Sequence, residues 1–309
     1  MPRDLHELPK LRDSLSFLYV ERCRIEQEEY AIALWNKEGR TPVPVAALGV
    51  LMLGPGTVIT HAAVRALADN GCSIMWLGEE GVRFYACGTG ETRKAYRLIK
   101  QAELVCDPNK RIEVVWRMYE LRFGHRLGDD LSLNQIRGME GARMRDAYHE
   151  AAERYGVEWH GRKYDRNNWA HADPINRALS SANACLNGIA HAAIISGGYS
   201  PGLGFIHQGK QLSFVYDIAD LYKTEITIPL AFGIVAESTD DVEARARLKC
   251  RDIFREHQLL KRILPTIDAL LDLPTTVNRY VDSADGDVDA DAALPTGLWE
   301  RLWQGIVED

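Results

Sequence analysis

The sequence lacks long apolar runs and paired cysteine motifs, and each absence excludes a class of protein. No stretch approaches the roughly 18 consecutive apolar residues that a membrane-spanning helix needs. The start, MPRDLHELPKLRD, is charged and broken by proline, unlike a secretory signal. The six cysteines include no CxxC pair and no histidine at zinc spacing. We therefore expect a cytoplasmic protein without membrane association, disulfides or structural zinc, whose cysteines are small buried residues.

The net charge of −7 argues against nucleic-acid binding until its distribution is considered. Residues 282–309 contain eight acidic residues and a single base, Arg301, so this segment alone carries −7. The rest of the chain holds 36 bases and 36 acids. A neutral body can carry basic faces, so the overall acidity does not exclude DNA as a partner.

Two kinds of apolar spacing divide the chain. Residues 1–88 show short alternating runs typical of strands, with LSFLYVERCRI as the first strand and one helix capped by Thr60. From about Thr92 the spacing becomes helical. We predict an α+β chain with an N-terminal β-sandwich-like domain, an all-α catalytic domain and an acidic flexible tail, at 1–88, 92–273 and 274–309. The helical patterns after the first two helices cover 133–155, 173–196, 213–223 and 240–271.

Glu140 is the first candidate for a functional role. In a helical projection of NQIRGMEGARMRDAYHE it shares a face with Ile136 and Met144. A carboxylate on an apolar face loses hydration unless another group replaces it. A cation could do so, and the simpler alternative is an ion pair with Arg137 or Arg143.

Asp217 and Asp220 form a second acidic feature, in LSFVYDIADLYK. Their i, i+3 spacing puts both on one side of a helix, near the apolar stripe that contains Phe214 and Ile218. Adjacent carboxylates repel each other unless a cation lies near them. The alternative is a pair in the first helical turn with Lys223 as counter-ion.

His207 lies ten residues before Asp217, in the glycine-rich segment PGLGFIHQGK. Glycines on both sides suggest a bent loop that presents the imidazole at the mouth of the next helix. Two or three carboxylates with one histidine form a ligand set for Mg²⁺ or Mn²⁺, and such an ion suits phosphodiester chemistry.

Basic residues are concentrated in 243–262, EARARLKCRDIFREHQLLKR. As one continuous helix, this segment would align Arg247, Arg251, Arg255 and Arg262 in a stripe, with Arg245 nearby. A charged helical face is often only solvated, but arginine binds phosphate in a bidentate manner. Lys210 and Lys223 flank the candidate ion site in sequence, as expected of a phosphate path.

Four segments, in order, resemble a known family. They are ALGVLMLGPGTVITHAAVRALADNGCSIMWLGEEGVRFYACG, RGMEGARMR, GFIHQGKQLSFVYDIADLYK and KCRDIFR. They are similar to the type I-E CRISPR adaptation integrase, the universal Cas1 family, and the resemblance extends from about residue 10 to 272. It implies an N-terminal β-sandwich packed on a helical domain.

The resemblance also implies site residues and partners. The metal ligands would be Glu140, His207 and Asp220, with Asp217 as a further acidic active-site residue. Family members form homodimers, and two dimers clamp a dimer of a small ferredoxin-like partner in a heterohexamer. That assembly carries a short DNA duplex, whose 3′-hydroxyl ends attack the CRISPR repeat and so insert the spacer into the array. The residues whose DNA contact the resemblance implies are Arg65, Arg83, Lys210, Lys223 and Arg247.

Two other functions stay open on the residues alone. A metal-dependent phosphohydrolase acting on small nucleotides would need a closed pocket and would not bind duplex DNA in a salt-sensitive manner. A non-enzymatic DNA-binding scaffold would use the arginine stripe and would be unaffected by EDTA. The pairing of His207 with two nearby aspartates favours an enzyme over such a scaffold.

Overall fold

A computed structural model describes residues 17–29, 31–45, 48–78, 84–88, 95–128, 130–162 and 173–273. Strands come first and helices follow, so the α+β prediction is confirmed. The predicted boundary near 88–92 and the predicted tail at 274–309 lie largely outside the described residues. The three-part division therefore stays a prediction.

The strands form two four-stranded sheets. In the first sheet, of order β1-β5-β7-β8, the first three strands are parallel and β8 is antiparallel to β7. In the second, of order β4-β3-β2-β6, only the β2–β6 pairing is parallel. The strands are β1 Phe17–Val20, β2 Arg24–Glu28, β3 Ala31–Asn36, β4 Gly39–Pro44, β5 Val50–Leu53, β6 Val58–Ile59, β7 Ser73–Leu77 and β8 Phe84–Gly88.

The predicted first strand, LSFLYVERCRI, is in fact two strands in different sheets. The chain turns at Arg22, whose φ of 50° lies in the left-handed region. The Arg22 amide donates to the carbonyl of Pro55 at 3.0 Å, which fixes the turn. The alternation of apolar residues continues through the turn, so the sequence pattern did not reveal it.

A shared core joins both sheets to the helix α1, His61–Asp69. Thr60 caps this helix as predicted, since its side chain accepts from the Ala63 amide at 3.3 Å. Burial of each large aliphatic side chain stabilises the fold by about 1.5–3 kcal/mol. The core residues include Ile25 and Ile32 from the second sheet, Leu51, Leu53 and Ile74 from the first, and Leu67 from α1.

The helical region contains one helix that the spacing did not predict. This helix, α7, is apolar on nearly all sides and begins with Pro229 in its first turn, a position that proline tolerates. The helices are α2 Tyr96–Cys106, α3 Pro108–Phe123, α4 Leu133–Tyr155, α5 Pro174–Ser196, α6 Ser213–Ala219, α7 Ile228–Glu237, α8 Val242–Glu256 and α9 Leu259–Leu270. A π-helical turn, Lys223–Thr227, connects α6 to α7.

The predicted continuous helix over 240–271 is wrong. The chain breaks at His257 and Gln258, where Gln258 has a φ of 46°. Arg262 therefore lies on α9 and pairs with Glu225 at 2.8 Å, so it does not continue a stripe from α8. The basic face of α8 ends with the helix.

Helix α5 is the centre of the helical region and packs on α6, α7, α8 and α9. Among the described helices, it alone has the length and hydropathy that could cross a membrane, and 67% of its apolar window is buried inside the fold. This burial is the environment of a core helix. Its His191 also packs against Phe84 of β8, with ring centroids 3.8 Å apart and ring planes tilted by 35°, and so joins the helices to the first sheet.

The cysteines only partly follow the prediction. Cys23, Cys72, Cys185 and Cys250 are buried, as expected of small apolar side chains. Cys87 and Cys106 are exposed, contrary to that expectation. All six are free thiols.

Candidate metal centre

Glu140 projects from the middle of α4. Ser132 and Gln135 form a capping box at the start of this helix, and Gly156 ends it with a φ of 64°. The Glu140 carboxylate is mostly buried and accepts from Arg143 twice, at 2.8 and 3.0 Å. One of the two simple ion pairs considered for Glu140 is therefore present, and it holds the carboxylate within the site.

Asp217 is fully buried and holds the His207 loop in place. One carboxylate oxygen accepts from the amides of Phe205 and Ile206, at 2.6 and 3.1 Å. The other accepts from the amide of His207 at 2.9 Å and lies 2.8 Å from its Nδ1. These four donors use both oxygens, so Asp217 supports the loop that carries His207.

This arrangement orients the His207 ring. An ionised carboxylate only accepts hydrogen bonds, so in the neutral imidazole the donor at this contact is Nδ1 and the lone pair lies on Nε2. The side chain is 42% exposed, and Nε2 is left for a ligand. Histidines that bind metal ions are commonly held in this way by a carboxylate.

Asp220 lies at the C-terminal end of α6, so the first-turn alternative does not describe the pair. Its Oδ1 is 2.5 Å from Lys223 Nζ, which confirms that lysine as its counter-ion. Its Oδ2 faces Arg122 at 3.6 Å. Despite the i, i+3 spacing, Asp217 and Asp220 have entirely different partners: the first binds loop amides and the second binds side-chain cations.

Arg122 connects the two ends of the site and is not among the residues predicted from the sequence. Its Nη1 lies 3.3 Å from Glu140 Oε1, and its Nη2 lies 3.6 Å from Asp220 Oδ2 and 3.5 Å from the Asp217 carbonyl oxygen. A signal was available, because Arg122 follows the buried residues Met118 and Tyr119 at helical spacing, whereas Leu121 is exposed. An arginine on an apolar stripe indicates a buried ionic partner.

The donor types fit a hard divalent cation. Glu140 and Asp220 reach the same guanidinium from separate helices, so their oxygens converge. Within the described part of the chain, however, no three acidic, histidine or cysteine side chains converge closely enough to hold an ion. Three cations, Arg122, Arg143 and Lys223, neutralise the carboxylates instead.

An open cavity of about 470 Å³ borders the site along α4. Arg143 lines it together with Asp146, Glu150, Thr224 and others. The Arg143 side chain is 22% exposed, so it has room to turn away from Glu140. The Lys223 side chain, which pairs with Asp220, is 28% exposed.

Two predicted DNA-binding lysines lie near the site. Lys210 is exposed, with its Nζ 5.9 Å from the centroid of the Tyr216 ring. Lys223 is the partner of Asp220. Arg65 is exposed on α1, 3.6 Å from Asp69, and Arg83 lies outside the described residues.

The predicted DNA-binding arginines of α8 differ in their surroundings. Arg245 is 2.7 Å from both Glu237 and the carbonyl of Ser238, which ties it to the end of α7. Arg247 is half-buried. Arg251 is exposed and pairs with its neighbour Asp252 at 2.9 Å. Arg245 is therefore the most firmly held of the three.

Comparison with known proteins identifies the family. The family model for the CRISPR associated protein Cas1 matches residues 17–125 and 121–244. The chain belongs to the Cas1 family. The Cas1 resemblance noted above is thereby confirmed at the level of the family.

Individual Cas1 relatives are similar along nearly the whole chain. A CRISPR-associated endonuclease Cas1 2 of Thermus thermophilus is 51% identical over 99% of this chain and 92% of its own length. A CRISPR-associated endonuclease Cas1 of Geobacter sulfurreducens is 44% identical over 91% of this chain and 95% of its own. The crystal structure of a TtCas1–DNA complex matches with a TM-score of 0.79 and 53% identity, over 85% of this chain and 99% of that one.

Proposed function

We propose that this chain is a type I-E CRISPR adaptation integrase. It inserts spacer DNA into the CRISPR array by attack of a spacer 3′-hydroxyl on a repeat phosphodiester. It also cuts DNA as an endonuclease, and both reactions depend on Mg²⁺ or Mn²⁺ at Glu140, His207 and Asp220.

The convergence of Glu140 and Asp220 carries this proposal. The two carboxylates come from separate helices and reach one guanidinium, which also lies 3.5 Å from the carbonyl of Asp217. The side chain of Asp217 holds the loop that presents His207 Nε2. These contacts between connected elements support the proposal of a divalent ion site with two oxygen donors and one imidazole nitrogen.

The chain's own residues supply positioning and charge. A bound divalent ion would polarise the phosphodiester and offset the charge that develops on the leaving oxygen. Arg143 and Lys223 pair with the candidate ligands and have room to move, so both can turn toward phosphate oxygens. The Asp217 carboxylate accepts a hydrogen bond from His207 Nδ1, which directs Nε2 of the neutral imidazole toward a ligand.

The proposal includes the partners and the compartment. Double-stranded DNA, as protospacer and CRISPR repeat, is the substrate, and the similarity to a Cas1 protein crystallised with DNA supports this. The active assembly contains homodimers of this chain and a small ferredoxin-like partner in a heterohexamer, in the cytoplasm. Lys210, exposed beside the site, is the first candidate for a phosphate contact.

A strand-transfer assay on supercoiled plasmid tests the proposal. The protein is combined with a short duplex, with and without the small partner, in Mn²⁺ or in EDTA. Glu140→Ala, His207→Ala and Asp220→Ala should each abolish strand transfer and retain duplex binding. Glu153→Ala, an exposed carboxylate on the same helix, is the matched control and should leave the rate unchanged.

Different failures have different meanings. Normal joining by the three alanine variants in Mn²⁺ would show that the site assignment is wrong. Activity that persists in EDTA would contradict metal dependence, and salt-sensitive DNA binding without strand transfer in any buffer would indicate a scaffold. Hydrolysis of small nucleotides without duplex binding would indicate a phosphohydrolase.

A further inference from the structure

Arg122 is a buried cation in the gap between the two candidate ligand carboxylates. It lies in the last turn of α3, its side chain is 5% exposed, and its guanidinium carbon is 5.5 Å from the centroid of the Tyr119 ring. Its two terminal nitrogens face Glu140 and Asp220 at 3.3 and 3.6 Å. These contacts are long for charged hydrogen bonds, so the guanidinium lies between the carboxylates and is not tightly bound to either.

The hydrogen bonding of Arg122 is incomplete. Its Nε is buried and has no partner among the residues that the structure describes. An unpaired buried N–H of this kind costs about 1–3 kcal/mol. The surroundings therefore leave part of the hydrogen-bonding capacity of Arg122 unused. Its favourable interactions are mainly with the carboxylates of Glu140 and Asp220.

Arg122 differs from the other two cations at the site in its access to water. Arg143 and Lys223 are 22% and 28% exposed and can turn outward. Arg122 would have to unpack the end of α3 to reach solvent, because it is packed on the buried Tyr119. Its charge consequently stays at the site whether or not an ion is bound.

We propose that Arg122 is a resident counter-ion that positions Glu140 and Asp220 before an ion binds and then competes with that ion through its charge. This inference rests on the proposed metal site. Without an ion, the guanidinium prevents the two carboxylates from repelling each other. When an ion is bound, the positive charge of Arg122 lowers the affinity of the site for that ion. The negative charge of a bound phosphate offsets this repulsion and therefore favours the ion-bound state.

The size of the effect follows from the distances. Glu140 and Asp220 both lie within 3.6 Å of the guanidinium, so an ion shared by them lies close to it as well. Unit charges about 4 Å apart near a protein surface interact by more than the 1.4 kcal/mol that corresponds to a tenfold change in affinity. Neutralising Arg122 should therefore tighten Mn²⁺ binding at least about tenfold.

Calorimetric titration with Mn²⁺ alone, on the full-length protein without DNA, measures this directly. Arg122→Gln and Arg122→Met remove the charge, and Arg122→Lys keeps it. Both neutral variants should bind Mn²⁺ at least about tenfold more tightly than the unmodified chain, and Arg122→Lys should stay within about threefold of it. Lys110→Gln is the matched control, because this cation lies in the first turn of the same helix, pairs with Glu103 at 2.5 Å and should change the affinity by less than about threefold.

Thermal unfolding in EDTA and in saturating Mn²⁺ supplies a second measurement. The neutral variants should melt lower than the unmodified chain in EDTA and recover most of the difference in Mn²⁺, since the ion replaces the missing charge. If a neutral variant folds only with Mn²⁺, that result also supports the proposal. Equal destabilisation in both buffers, or failure to fold even with Mn²⁺, would overturn it.

The outcomes separate this inference from the proposed function. If Mn²⁺ binding is equally strong in the unmodified chain and in Glu140→Ala, the metal site itself is wrong. If Mn²⁺ binds and Glu140→Ala removes the binding, but the neutral Arg122 variants bind with unchanged or weaker affinity, only the role of Arg122 is refuted.

Discussion

Replacing Asp217 by asparagine separates a supporting carboxylate from a ligand. Each Asp217 oxygen accepts two donors, namely the amides of Phe205 and Ile206 at one oxygen and the amide and Nδ1 of His207 at the other. In Asp217→Asn, one oxygen becomes an NH₂ group that cannot accept. If the NH₂ group faces Phe205 and Ile206, both of their amides lose an acceptor. If it faces His207, the backbone amide loses its acceptor, whereas the ring can change tautomer and accept through Nδ1. At least one buried donor is therefore left unpaired.

The expected cost follows from that count. A buried donor left unpaired costs about 1–3 kcal/mol, so Asp217→Asn should lower the free energy of unfolding by at least about 2 kcal/mol. At about 2 °C per kcal/mol for a chain of this size, the melting temperature should fall by at least about 4 °C. Asp220→Asn is the matched control. Its carboxylate is partly exposed and faces Lys223 and Arg122, and the oxygen of the asparagine amide can still accept from one of them, so the cost should be about 1 kcal/mol.

Thermal unfolding and Mn²⁺ titration should therefore rank the two variants, Asp217→Asn and Asp220→Asn, in opposite orders of severity. Asp217→Asn should mainly lose stability, and Asp220→Asn should mainly lose ion affinity. The reasoning would be refuted if Asp217→Asn melted within about 2 °C of the unmodified chain and lost Mn²⁺ binding as completely as Asp220→Asn. Asp217 would then be a ligand.

Two further predictions concern a buried histidine of α5 and a glycine of the His207 loop. Burial lowers the pKa of His191 from 6.5 to about 4, so the unfolded chain binds a proton that the folded chain does not, and stability falls as the pH decreases through 6.5. Urea unfolding should show a loss of about 2 kcal/mol from this residue between pH 7.5 and pH 5, absent in His191→Leu; equal losses in both proteins would contradict it. A side chain on Gly204 would place its Cβ 2.7 Å from Ser213 Cβ and 2.8 Å from the Ser213 carbonyl carbon. Gly204→Ala should therefore displace the His207 loop and weaken Mn²⁺ binding, whereas Gly202→Ala, with no neighbour closer than 3.6 Å, should not.

Much of the fold follows from local patterns in the sequence. The capped helix after Thr60 and the long helix that carries Glu140 were predictable because side-chain caps and apolar spacing are properties of neighbouring residues. The breaks at Arg22 and Gln258 were not, since each has a left-handed backbone conformation at a residue that is not glycine. Contacts made elsewhere in the chain stabilise such conformations, and the apolar pattern continues across them.

The sequence by itself determined the candidate ligands Glu140, His207 and Asp220, because their motifs resemble a known family. Only the tertiary structure decided how the acidic residues divide their roles. Asp217 and Asp220 are three residues apart, yet the first binds loop amides and the second faces Arg122, which is 98 residues earlier in the chain. Spacing along a helix specifies which side a residue occupies. It does not specify which partner the folded chain brings to that side, and for this site the partner determines whether a carboxylate supports the loop or can bind an ion.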